Sequence, residues 1–249
     1  MILIKKALKK LQSISNSVIN TVLPPRCIIS GDIVEAPGMV SPTPWARLNF
    51  IEHPFCDICG RPFEFITPDE SVCGDCFAYP PEFTSLRSAL VYDENISPLI
   101  LGFKYGDKLH AKNTFAKWMI RAARDTLPDC DLIIPVPLHY SRLWKRRYNQ
   151  AGEIGKEISV QTNITFIPDV LKRNRFTQTQ KGLTTKQRQD NVKSSFKVRP
   201  LYLNQIKGKK IIIIDDVYTS GATLNECAKT LNKQGAKTIH ALTLARVVK

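Results

Sequence analysis

No stretch of this sequence approaches the roughly 20 consecutive apolar residues that a membrane-spanning helix needs, so no membrane span is expected. Acid is also scarce. Asp and Glu total 22 against 36 Lys and Arg, a net charge of +14, and the first acid in the chain is Asp32. That imbalance points to polyanionic partners such as phosphates, nucleic acid or an anionic surface, with general solubility as the plain alternative. No Gly-x-x-x-x-Gly-Lys-Ser/Thr loop occurs, which excludes the P-loop ATPases. No internal repeat and no low-complexity tract is legible. Near the start there is no unbroken apolar core followed by a small-residue cleavage site, so an export signal is not expected and a cytoplasmic protein is. Disulfides are then disfavoured.

What is present begins with "IIIIDDVYTSGAT", residues 211–223. Ile211 to Ile214 is a β-branched run without alternation, as expected of a strand buried on both faces of a parallel sheet. Asp215 and Asp216 close it, at the edge where open α/β sheets bind ligands. Thr219, Ser220, Gly221, Ala222 and Thr223 are small enough to curl the backbone so that amides converge on an anion at a helix start. The two carboxylates suit ribose hydroxyls or a metal ion. A plain capped strand-to-helix turn is the competing explanation.

Seven cysteines are present, and four form a pattern: Cys56-x-x-Cys59 and Cys73-x-x-Cys76. Two such turns place four thiolates tetrahedrally around Zn²⁺, leaving no open position, so the metal is structural. Gly60 and Gly74 stand where such turns tolerate positive φ. Cys130 and Cys227 read as buried core thiols.

A chain of 249 residues accommodates one large domain and one small one. Residues 1–23 read as an amphipathic helix. Ile4, Leu8, Leu11, Val18 and Val22 share a face opposite Lys5, Lys6, Lys9 and Lys10, either packing on the protein or facing a partner. Residues 24–82 form the cysteine- and proline-rich module, and 83–249 an α/β domain. Strands are expected at Leu86–Tyr92, Leu132–Ile134, Val170–Leu171, Ile211–Ile214 and Thr238–Ala245. Helices are expected at Ile96–Tyr105, Leu109–Arg124, Ala151–Val160, Thr184–Asn191 and Thr223–Gln234. Their alternation predicts a parallel sheet. The strand at 132–134 leads into a basic loop with Arg142, Lys145, Arg146 and Arg147, suited to a pyrophosphate or simply solvated. Residues 172–199 hold nine Lys or Arg and the single acid Asp190. They read as a mobile loop able to close on an anion, or as a basic surface loop. Phe103, Tyr105, Trp144 and Tyr148 are either core or stacking platforms for bases.

The segment 211–223 resembles the phosphoribosyl pyrophosphate (PRPP) motif of type I phosphoribosyltransferases. The series "LPPRC", "CDICGRPF", "CGDC", "FKYGDK", "IPVPLHYSRLWKRRYNQA", "TQTQKGLTTKQRQDNV", "IIIIDDVYTSGAT" and "ALTLARV" resembles the ComF family across residues 23–247. The resemblance implies an α/β type I phosphoribosyltransferase fold behind an N-terminal zinc ribbon, and a link to natural transformation. Asp215 and Asp216 would be the catalytic acids at the ribose hydroxyls of PRPP, bound with Mg²⁺. Thr219, Ser220, Gly221, Ala222 and Thr223, following Val217, would hold the 5′-phosphate. Val136, Pro137, Leu138 and His139 would form the pyrophosphate loop, and Lys104 and Arg147 would meet the leaving group. No general base is evident. The alternative is a non-catalytic module that holds single-stranded DNA or a competence helicase and senses PRPP; a scaffold on a dead transferase fold fits the intact motif worst. Many relatives carry two cysteine sites. Here Cys27 stands where the first begins, with Ser30, Ser41 and Pro44 in place of its partners, so that site is expected to be lost.

Overall fold

The isoleucine run lies at the centre of a five-stranded parallel sheet. The computed structural model describes residues 23–68, 70–105, 108–138, 148–174 and 185–248. Residues 1–22 of the expected N-terminal helix, together with His139, Arg142, Trp144, Lys145, Arg146 and Arg147, lie outside the described residues. The strands are β1 (Ser85–Val91), β2 (Leu132–Pro135), β3 (Thr165–Phe166), β6 (Lys210–Tyr218) and β7 (Thr238–Arg246), in the order β1-β7-β6-β2-β3. β4 (Leu171–Arg173) and β5 (Phe196–Val198) form a separate antiparallel pair. The longer helices are α1 (Ser97–Tyr105), α2 (Lys112–Ala122), α3 (Gln150–Thr162), α4 (Thr185–Val192) and α5 (Ala222–Asn232). No described helix is long and apolar enough to cross a membrane.

Ile211 to Ile214 have no exposed surface, and they divide between two cores. Ile212 and Ile214 pack in the core that holds Phe115 and Met119 of α2 and Ile154 and Ile158 of α3. Ile211 and Ile213 pack with Leu224, Cys227, Ala228 and Leu231 of α5. Each such side chain contributes on the order of 1.5–3 kcal/mol of burial. A one-residue slip would exchange the two sets between cores, so the register of β6 is firmly held.

The acids do not follow the strand, as the sequence suggested, but lie within it. β6 pairs with β2 only as far as Ile214 opposite Pro135, and with β7 as far as Tyr218 opposite Arg246. Asp215 and Asp216 therefore sit where β6 outlasts its neighbour, at the carboxyl edge of the sheet. Residues 172–199 also differ from the mobile loop expected. Their described parts form β4, β5 and α4, and β5 and α4 pack on α5. Cys130 and Cys227 are buried thiols, and burial raises the pKa of both. Phe103 is fully buried against Phe115, and Tyr148 donates to the Phe103 carbonyl at 2.7 Å. Phe103 belongs to the core, half-buried Tyr148 packs edge-on against it, and Tyr105 is exposed.

The N-terminal module contains a repeat that the sequence conceals. Around Cys56, the amides of Cys59 and Cys73 point at its sulfur (3.5 and 3.3 Å), and the short helix Gly74–Ala78 follows. Around Cys27, the amides of Ser30 and Ser41 point at its sulfur (3.4 and 3.3 Å), and the short helix Pro42–Trp45 follows. Arg26 bridges to Ile33 as Phe55 bridges to Pro62. The two knuckles share a backbone plan, but three ligand positions of the first have changed type, so no sequence repeat survives. Gly60 has φ +66°, and a Cβ there would meet the Leu86 carbonyl oxygen at 2.6 Å, so the knuckle rests directly on β1. Gly74 has no positive φ, contrary to expectation, because the chain is already helical there. Ile51 and Val91 exchange amide bonds with Ala89 and Asn49, which covers the outer edge of β1.

Candidate functional site

At the carboxyl edge, β6 and the turn into α5 enclose an open cavity of ≈ 320 Å³. Asp215, Asp216, Val217, Thr219, Gly221, Ala222 and Thr223 line it on one side and Val136, Pro137 and Leu138 on the other, with Lys104 of α1 between them. The structure thus brings together all the expected site residues within the described part of the chain except Ser220, which lies behind the loop. His139 and Arg147 are outside the described residues. Sequence reading missed Tyr92, Arg173 and Tyr218, which also line the cavity. Arg173 sits on β4, in the 172–199 segment expected to close on an anion, where no single residue was picked out.

Local geometry explains the shape. Gly221 has φ +73° and is the N-cap of α5, so the turn reverses into a helix whose first residues, Ala222 to Leu224, line the cavity. Ser220 Oγ, on the rear of the loop, is buried with no hydrogen-bond partner among the described residues. Val136 hangs on β6 through its amide to the Ile214 carbonyl (2.9 Å), and Asn149 Nδ2 holds the Val136 carbonyl at 3.0 Å. Opposing loops are therefore tied to the strand that carries the acids.

The electrostatics separate the two acids. Lys104 Nζ lies 3.0 Å from Asp216 Oδ1. Asp215 accepts the Asp216 amide at 2.8 Å, yet burial, followed by the charge of Asp216, pushes its pKa up to about 7, against the pull of Lys104 and Arg173. Ribose hydroxyls and cations both favour ionised carboxylates. With its pKa raised to about 7, Asp215 gains charge as pH rises from 6 to 8, so a ligand held through its ionised carboxylate should bind more tightly at pH 8. Asp215→Asn should flatten that profile in calorimetric titrations at the two pH values. The unliganded fold shows the opposite sign. A folded pKa above the usual 3.8 means that this group's contribution to stability falls as pH rises between those values and is constant above.

In the N-terminal module, the sulfurs of Cys56, Cys59, Cys73 and Cys76 lie within 4.8 Å of one another, all buried. Cys59 and Cys73 sulfurs are 3.7 Å apart, close to the ~3.8 Å edge of a zinc-thiolate tetrahedron. The Cys59 side chain and the amides of Cys73, Cys59 and Ile58 hold Cys56 well below the ordinary thiol range, against burial. This donor set fits structural Zn²⁺, with the ligands taken from one knuckle and not interleaved. It is the only such cluster among the described residues. In the first knuckle, Ser30 and Ser41 hydroxyls meet at 3.1 Å and both reach Asp32 Oδ2. Burial opposes ionisation of Cys27, but bonds from Ser30 and Ser41 outweigh it and bring its pKa down to about 6.

A parallel sheet with an acid pair and a Gly-closed turn at its carboxyl edge, carried behind a cysteine knuckle, defines a phosphoribosyltransferase-type protein with a double zinc ribbon. Family comparison agrees: residues 18–77 match the double zinc ribbon domain and residues 133–248 the phosphoribosyl transferase domain. Competence protein F of Haemophilus influenzae is 34% identical over 200 residues, 78% of this chain and 85% of that protein. DNA utilization protein YhgH of Escherichia coli K12 is 28% identical, covering 82% and 88%. Competence protein ComFC of Bacillus subtilis is 26% identical, covering 81% of each. The chain belongs to the ComF family of competence protein F.

Proposed function

We propose that this protein binds PRPP together with Mg²⁺ in the cavity at the carboxyl edge and works in the cytoplasm in the handling of incoming DNA. The observation that carries the proposal is the convergence, on one ≈ 320 Å³ cavity, of an acid pair, a helix-start loop and a cation. Asp215 and Asp216 accept the ribose hydroxyls, and residues 219–223 bind the 5′-phosphate through their amides. Lys104 and the Val136–Leu138 turn face the pyrophosphate. Attack at the anomeric carbon would release pyrophosphate, with catalysis coming from positioning and charge stabilisation. In this reading 24–82 is the zinc-ribbon module and 83–249 the ligand-binding domain. The names of the relatives, competence and DNA utilization, support the link to DNA uptake. The net charge of +14 suits a single-stranded DNA or helicase-bound DNA partner.

Calorimetric titration of the zinc-loaded protein with PRPP and Mg²⁺ tests the site. Binding is expected in the parent and none in Asp215→Ala/Asp216→Ala; no binding in a folded parent would sink the proposal. One observation favours a regulatory variant of this reading. Among the described residues no His or Glu lines the cavity, and its two carboxylates are assigned here to the ribose hydroxyls. If PRPP binds, but no pyrophosphate is released with single-stranded DNA or free bases present, the ligand is a signal and not a substrate.

A further inference from the structure

Arg246, the last residue of β7, is 2% exposed. A guanidinium so deeply buried needs a counter-charge. Its NH1 group donates to the Cys59 carbonyl and lies 3.8 Å from the Cys59 sulfur. With Zn²⁺ held by four thiolates, that centre carries a charge of about −2, and Arg246 is placed to balance it from the far domain. The other face of the guanidinium lies on Tyr218, 5.2 Å from the ring centre. Tyr218 is in turn packed against the phosphate loop: its hydroxyl stands 2.6 Å from where a Cβ on Gly221 would be. Behind the loop, a second cavity of ≈ 720 Å³ is lined by Cys59, Cys76, Tyr218, Ser220, Gly221 and Arg246. The metal knuckle and the rear of the loop thus face one another across open space, and the Arg246–Tyr218 stack spans it.

We propose that Arg246 is a positioning residue that transmits occupancy of the zinc site to the phosphate loop, so that metal in the N-terminal module is a condition for ribose-phosphate binding. The consequence for binding rests on the function proposed above; the mechanical coupling does not. Groups that hydrogen-bond to a metal's ligands commonly alter metal affinity by about tenfold or more, which sets the size of effect to look for.

The test compares zinc-loaded parent, Arg246→Met and Arg87→Met. Arg87 is a control, since it also ties the module to the α/β domain, through the Asp57 carbonyl at 2.8 Å and over the Phe55 ring, but away from the loop. Hydrogen exchange of amides 217–224 and the rate of zinc loss to a chelator are measured. In Arg246→Met, exchange at 217–224 and zinc loss should both accelerate about tenfold; in Arg87→Met, exchange should rise at 54–63 and in β1 only. Unchanged exchange at 217–224 in Arg246→Met, or an equal rise in Arg87→Met, overturns the proposal. If Arg246→Met does not fold, Arg246→Lys and the zinc-stripped parent give the same reading. Calorimetry with PRPP and Mg²⁺ then separates the two claims. No binding by the zinc-loaded parent removes the ribose-phosphate reading and leaves the exchange result standing. Binding that survives zinc removal removes the coupling alone.

Discussion

If the cavity holds PRPP as proposed, Gly221→Val should abolish that binding while the protein keeps its sheet and its zinc. Gly221 has φ +73°, and a Cβ there would lie 2.6 Å from Tyr218 Oη and 2.9 Å from two ring carbons. A side chain in this left-handed region costs about 1–2 kcal/mol before any clash is counted. Tyr218 cannot retreat freely, because Arg246 lies over its ring and its carbonyl accepts the Val247 amide at 2.9 Å. The loop must move instead, carrying its amides away from the phosphate. Hydrogen bonds to a charged group are each worth about 1.5–3 kcal/mol, so losing two or three lowers affinity by about a hundredfold or more. Gly221→Ala should show the same direction with a smaller loss. Titration calorimetry measures the effect, and the melting transition and bound zinc confirm that the fold remains. Affinity within about threefold of the parent in Gly221→Val would mean that the phosphate is held elsewhere.

The parts of this architecture that were readable from sequence are those written in local pattern. Ile211–Ile214, the acid pair and the 219–223 turn are consecutive, and their chemistry requires them to be. The four-cysteine spacing was likewise sufficient to name the metal site. What escaped was short or distributed. β3 and β5 are two and three residues long, too short for any period to show. Arg173 entered the site only because β4 and β5 pair and lie over α5. Arg246 and Cys59 are 187 residues apart, and no local pattern marks either as the other's partner. The end of β6 was also placed too early, since the strand runs on along β7 to Tyr218 after β2 has stopped opposite Ile214.

The concealed repeat leads to the second large effect. Ser30→Cys, Ser41→Cys and Pro44→Cys introduced together should raise the zinc content from one ion per chain to two. Cys27 already receives the two amide bonds that Cys56 receives in the four-cysteine knuckle. Ser30 and Ser41 hydroxyls are 3.1 Å apart, about the separation of neighbouring ligands in a zinc tetrahedron after allowance for the longer Zn–S bond. Pro44 stands three residues after Ser41, in the short helix Pro42–Trp45, as Cys76 stands after Cys73 in Gly74–Ala78. The substitution removes the Ser30–Asp32 and Ser41–Asp32 bonds, each to a charged group and worth roughly 1.5–3 kcal/mol. A structural zinc contributes on the order of 10 kcal/mol, so the metal should win by a wide margin. Metal analysis of the purified variant counts the ions, and the melting point should rise with zinc and fall below the parent's when zinc is stripped. Retention of a single ion would show that the first knuckle has lost the ligand geometry along with the ligands, and that the shared backbone plan extends no further than Cys27.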